Sequence, residues 1–186
     1  MVLIKQGRIV PDPWTPVADG DALPGGGKAA VVSLTRWQAE RATLMRHDGP
    51  LGIQLAPDQP PALIADDLHR FDLVALDFPK FTDGRAYSHA RLLRQRWRFG
   101  GEIRAVGQVL RDQIAFMQRC GFDAFEIADD DAAEKWRRAS SEIGVCYQQA
   151  ADERAPASRL REARQPASTP PAAGLEARGY AGAWAY

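Results

Sequence analysis

A chain of 186 residues is long enough for one domain with a single sizeable core. Its hydrophobic share of 45% and charged share of 26% exclude a disordered or fibrous protein. The formal net charge is zero, so total charge implies no strongly acidic or basic partner, but residues 79–119 hold 9 Lys+Arg against 3 Asp+Glu and gather the basic character into one central stretch.

The first residues, VLIKQGRIV, read as two short strands around Gln6-Gly7, where Gly suits a tight turn, and predict a small N-terminal hairpin. Residues 11–28 are rich in Pro and Gly and predict a surface loop. A repeated alternation follows. Strand 30–34 precedes a helix capped by Thr35 that runs to about Arg46. Strand 51–56 precedes a short helix over 61–69. Strand 73–78 precedes a helix over 84–99 that ends at Gly100-Gly101, with Gly as a left-handed cap. Strand 102–107 precedes a helix over 109–120 that ends at Gly121. Strand 124–128 precedes a helix over about 131–141, and 145–148 is a candidate sixth strand. Strands alternating with helices predict an α/β fold built from successive βα units, with a mainly parallel sheet of about five or six strands. The pattern leaves open whether the sheet is flat or curls into a partial barrel. Residues 1–150 read as this single domain, and 151–186, rich in Ala, Pro, Gly and Arg, as a disordered tail.

The start of the chain does not read as a signal peptide, because Lys5 and Arg8 interrupt a short apolar run. No stretch approaches the roughly 20 apolar residues that cross a bilayer. The expectation is a cytoplasmic protein with reduced thiols. Cys120 and Cys146 form no CxxC and are too few for an iron–sulfur cluster within one chain. Cys120 falls on the edge of an apolar stripe with Leu110, Ile114 and Met117, which suits a structural thiol. His47, His69 and His89 are scattered, so no metal site is expected, although Asp77 with Asp129 and Asp130 would suit a hard cation if their strands were adjacent. Residues 24–29 lack the outer Gly and the Ser/Thr of a phosphate-binding loop. Neither GxGxxG nor GxSxG occurs, so no nucleotide or other cofactor is expected.

In a parallel sheet, ligands meet the loops at the carboxyl ends of the strands. Three loops qualify: 77–85, 107–108 and 129–131. The first carries Lys80 and Arg85 beside a helix start, an arrangement that suits a small anion. The alternative is that Asp83 or Thr82 caps the helix while the two cations face water. Asp77 and Asp83 are candidate bases. On the helix 84–99, Ala86, Ala90, Leu93 and Trp97 form the buried stripe. Arg91, Arg94 and Arg98 share a neighbouring face, a candidate surface for an acidic partner protein. No nucleic-acid motif accompanies the basic stretch, so neither nucleic acid nor membrane is an expected partner.

Five ordered blocks carry a family resemblance: FPKFTDGRAYS (78–88), RLLR (91–94), GEIRAVG (101–107), LRDQ (110–113) and RCGFDAF (119–125). The chain resembles the bacterial domain-of-unknown-function family 934, whose members are labelled as oxidoreductases of sulfite reduction. Gln108 stands where that pattern leads one to expect an acidic residue. The resemblance implies an accessory role in assimilatory sulfite reduction, beside a sulfite/nitrite reductase haemoprotein or its electron donor. It assigns no catalytic residue. The alternative is an enzyme acting on an anionic small molecule at the strand C-terminal loops.

Overall fold

The computed structural model describes residues 1–127, 134, 147, 149–151 and 155–164. The loop at 129–131, the helix over 131–141 apart from residue 134, the strand at 145–148 apart from residue 147, Cys146 and most of the tail therefore lie outside the described residues. Within the stretch expected to be a disordered tail, Ala157–Arg164 form a helix.

Eight strands make one sheet: β1 (Val2–Lys5), β2 (Arg8–Val10), β3 (Thr15–Pro16), β4 (Ala30–Ser33), β5 (Leu51–Leu55), β6 (Leu73–Phe78), β7 (Glu102–Gly107) and β8 (Ala124–Ile127). Their order is β2-β1-β8-β7-β6-β5-β4-β3. All neighbours from β3 to β8 are parallel. The expected hairpin forms, with Gln6 and Gly7 both at positive φ (48° and 76°), the geometry of a two-residue turn that matches strand twist. It is no separate appendage, because β1 pairs antiparallel with β8 and extends the sheet. The loop 11–28 contributes a further edge strand, β3.

Strands β4 to β8 are added in sequence order and always in one direction. With right-handed crossovers, that order puts every connecting helix on the same face. The helices are α1 (Leu34–Leu44), α2 (Arg85–Gln95) and α3 (Ile114–Cys120), joined by a 3₁₀ segment over Pro61–Arg70. One core lies between them and the sheet. Val32, Ile53, Leu55, Val74, Leu76, Phe78, Ile103, Ala105 and Phe125 meet Trp37, Leu44, Ile64, Ala90, Leu93, Ile114 and Met117 there. The opposite face carries no helix from these crossovers, and the sheet curls around it. Pro16 of β3 and Glu126 of β8 line one cavity although five strand steps separate them, about 24 Å in a flat sheet. The architecture is thus a partial βα barrel, open at β2 and β3. Among the described residues, no helix is long and apolar enough to cross a membrane.

Three local expectations are corrected. Ser33, not Thr35, caps α1: its hydroxyl accepts from the Arg36 N–H at 3.0 Å, because the strand ends one residue earlier. Leu110 is exposed, because a 3₁₀ turn at Arg111–Gln113 precedes α3 and shortens it. Helix α2 stops at Gln95, and Arg98, at φ 53°, takes the left-handed position expected of Gly100 or Gly101.

That early stop separates the three arginines assigned to one helix face. Arg91 is an exposed residue of α2, while Arg98 lies beyond the helix end. Arg94 turns inward. Its Nη1 donates to the carbonyls of Phe99 (2.5 Å) and Gly101 (2.8 Å), its Nε to that of Gly121 (3.1 Å), and its Nη2 to Asp123. Arg94 thus ties the end of α2 to the starts of β7 and β8. Arg94→Ala should lower the unfolding free energy by about 3 kcal/mol, since it strands several half-buried carbonyls. Arg91→Ala should stay within about 0.5 kcal/mol. Urea unfolding of both variants checks the contrast.

Candidate functional site

Side chains alternate across a strand, so every second residue of β4 to β8 faces the concave side. On the helix-covered side those residues are apolar. On the concave side each strand contributes a polar group: Ser33, Gln54, Asp77, Arg104 and Glu126. The register sets Ser33, Gln54, Ala75 and Arg104 side by side across four strands, and Asp77 lies two residues above Ala75. Small Ala75 leaves room between Gln54 and Arg104.

Arg104 is 2% exposed. Its Nε donates to Glu102 at 2.9 Å and its Nη1 to Glu126 at 3.0 Å. Nη1 and Nη2 grip both oxygens of Asp12 at 2.8 and 3.1 Å. Glu102 also accepts from Lys5 at 2.5 Å. Asp12 belongs to a strap, residues 11–23, that crosses the concave side before the chain enters the βα units. Five further hydrogen bonds hold the strap. Thr15 and Val17 donate to the carbonyls of Ala29 and Val31. The Ser33 hydroxyl donates to Asp19 at 2.7 Å. The buried Arg36 donates to the carbonyls of Ala18 (2.6 Å) and Asp21 (2.5 Å).

Two adjoining hollows lie between strap and sheet. The larger, of about 520 Å³, opens at the carboxyl ends of β3 to β6 beside Asp19, Ser33, Gln54, Gln59 and Asp77. The smaller, of about 280 Å³, runs toward Arg104, Glu126, Asp12 and Trp14. Both are lined by Pro16, Val31, Gln54 and Asp77, so they form one cleft with Asp77 at the junction. Together they fall in the size range of small-molecule sites.

Asp77 is half-buried on β6. Desolvation raises its pKa above the usual carboxylate value, partly offset by a hydrogen bond from the Phe78 N–H. Gly107 follows from this placement. It has φ 89°, and a Cβ there would sit 2.6 Å from the Phe78 carbonyl oxygen and 2.8 Å from Asp77 Oδ1. Only glycine lets the end of β7 pass so close to the carboxylate.

The other expected site residues sit elsewhere. Lys80 is exposed in the turn after β6, and Arg85 is the exposed first residue of α2. Arg85 is bound at both ends of Asp83: Nε to Oδ1 at 3.0 Å and Nη2 to Oδ2 at 2.6 Å. Asp83 also accepts from the Arg85 backbone N–H at 3.2 Å. Those contacts hold its pKa at about 2, so Asp83 stays ionised and is a poor proton acceptor. The N-cap position of α2 is Gly84, which makes no side-chain cap bond, and Asp83 accepts only from the first helical N–H while pairing with the Arg85 side chain. Neither Lys80 nor Arg85 lines the cleft. Gln108 ties the loops together instead, its side-chain oxygen accepting from the Phe81 N–H at 3.3 Å. Cys120 is the buried last residue of α3. Among the described residues, no group of three His, Cys, Asp or Glu is placed to hold a metal ion.

Gln54, Arg104, Glu126, Asp12 and Asp19 were not singled out from the sequence. A signal for three of them was there: each is the polar residue that interrupts an apolar strand, in LGIQL, EIRAVG and AFEI. A polar residue at that phase in a buried strand needs a partner or a cavity. Nothing in the sequence pairs Asp12 with Arg104, 92 residues away.

Fold and cleft together define a partial βα barrel with a polar cleft at the carboxyl edge of its strands. The chain matches the model of the family described as "Bacterial protein of unknown function (DUF934)" over residues 52–158, more than half its length, and belongs to that family. The match includes Gln54, Asp77, Arg104 and Glu126 but not the strap. A comparison with curated proteins gives no match.

The raised pKa of Asp77 has a stability signature. Its neutral carboxyl suits the fold better than its carboxylate does. Stability from that preference is complete below the unfolded value of about 3.9 and is lost as pH rises through the higher folded value. Asp77→Asn should therefore match the unmodified chain near pH 3 and melt at the higher temperature near pH 7. Melting curves at the two pH values check the sign.

Proposed function

We propose that the protein binds and acts on a small polar molecule in the cleft between the strap and the concave face, with Asp77 exchanging its proton. The observation that carries this reading is a half-buried carboxyl with raised pKa at the junction of two hollows. Such a group is suited to general acid–base work, because its proton affinity moves toward the working pH. Gln54 and Gln59 flank it in the larger hollow. The Gln59 side-chain oxygen accepts from the Ala56 N–H at 2.9 Å, which holds this side chain at the wall of the hollow. In native mass spectrometry, the full chain taken from its cells should carry a small molecule that Gln54→Trp, by filling the cleft, no longer holds. Equal retention by Gln54→Trp would overturn the site.

A second reading concerns where such a protein works. The five ordered sequence blocks favour an accessory role in assimilatory sulfite reduction, beside a sulfite/nitrite reductase haemoprotein or its electron donor. Arg91 and Arg98, both exposed, are the arginines that an acidic partner would meet. Arg94 is engaged internally. The full chain should co-elute with the reductase at low salt, and Arg91→Glu should weaken that association. No recovered reductase, together with unchanged sulfite reduction in cells lacking the chain, would defeat this reading.

A further inference from the structure

We infer that the ligand of the cleft is a small cation, an amine or a guanidinium compound, and not an anion. This inference rests on the cleft being the ligand site. Four carboxylates line the two hollows: Asp19 and Asp77 in the larger, Asp12 and Glu126 beside Asp77 in the smaller. One cation lines them, Arg104. Its charge is already answered. Four of the five guanidinium donor positions are held by three carboxylates, counting one bond from Nε, two from Nη1 and one from Nη2. An anion entering the cleft would find at most one remaining N–H on a 2% exposed guanidinium, and a fuller grip would require displacing Asp12, Glu102 or Glu126. It would also meet Asp77 and Asp19 at the mouth.

The other cations nearby do not alter that balance. Arg36 is buried behind the strap, where it holds the carbonyls of Ala18 and Asp21 and the Glu40 carboxylate. Lys5 is paired with Glu102. Arg85 is bound to Asp83, outside the cleft. A cation gains the uncompensated acceptors of Asp19 and Asp77, with the Gln54 side chain beside them. A concave site lined by one sign of charge also concentrates ligands of the other sign. The apolar walls, Pro16, Val17 and Val31, leave room for a short hydrocarbon body between polar ends.

The potential of the cleft can be read without the natural ligand. A cysteine is placed in it by Gln54→Cys, with Gln59→Cys as an independent second position, and the unmodified chain sets the background from Cys120 and Cys146. Each full-length variant is treated with a cationic thiol reagent, 2-(trimethylammonium)ethyl methanethiosulfonate, and with its anionic counterpart, 2-sulfonatoethyl methanethiosulfonate. The ratio of the two rates, divided by the same ratio for a free thiol, should be about tenfold or more in favour of the cation. Adding Asp77→Asn and Glu126→Gln should bring it back toward one. A normalised ratio at or below one, with both reagents reacting, overturns the charge inference while the site survives. Cysteines at both positions that react with neither reagent would show a closed cleft and overturn the site reading itself.

Discussion

Arg104 stands on the concave side of a curled sheet, and its charge has to be met from three directions. Glu102 comes from its own strand, Glu126 from the neighbouring strand and Asp12 from the strap. A guanidinium that is 2% exposed is tolerable only in such company. Taking away one partner of a buried ion cluster typically costs about 3–5 kcal/mol, because the remaining charge stays buried. The cluster therefore fixes more than a local contact. It holds the strap across the barrel, and the strap completes the cleft.

Sequential strand order makes this arrangement necessary. Right-handed crossovers repeated in one direction put all the connecting helices outside, so they cannot fill the inner side. In a closed barrel, layers of side chains pack that space. Here the sheet stays open, with edges at β2 and β3, and polar groups take the place of an apolar inner core. Asp77 is where this polar interior meets the carboxyl edge. It is dry enough to resist ionisation and close enough to the mouth to reach a ligand.

The basic stretch at 79–119 has a different meaning in three dimensions. Some of its arginines are engaged within the chain, whereas Arg91, Arg96 and Arg98 stay exposed. Arg85 closes on Asp83, Arg94 binds the backbone around β7 and β8, and Arg104 anchors the strap. Part of the local excess of positive charge in the sequence thus becomes internal fastenings, at Arg94 and Arg104. Asp12, Asp19 and Asp77 from the preceding segment, with Glu126 from the following one, line the cleft instead.

The succession of βα units was legible in the chain because apolar runs, helix stripes and glycine stops are local. The strand bounds of β6 and β7, the buried Ala86, Ala90 and Leu93, and the stop of α3 at Gly121, with φ 106°, all follow from neighbouring residues. So does the hairpin at Gln6-Gly7. The candidate site was legible only at Asp77. The cap of α1 and the end of α2 fell elsewhere, since tertiary contacts of Ser33 and Arg94 compete with local propensity. By itself the sequence determined the strands that alternate with helices over residues 30–127, that they run mainly parallel and that Asp77 lies near the end of one of them, but not the edge strand β3. Only the tertiary structure decided that the sheet curls, that Asp12 crosses it to reach Arg104 and that Lys80 and Arg85 stand apart from the cleft. Those outcomes depend on charges brought together across long stretches of chain, and periodicity, which records only which face a residue takes, carries no information about them.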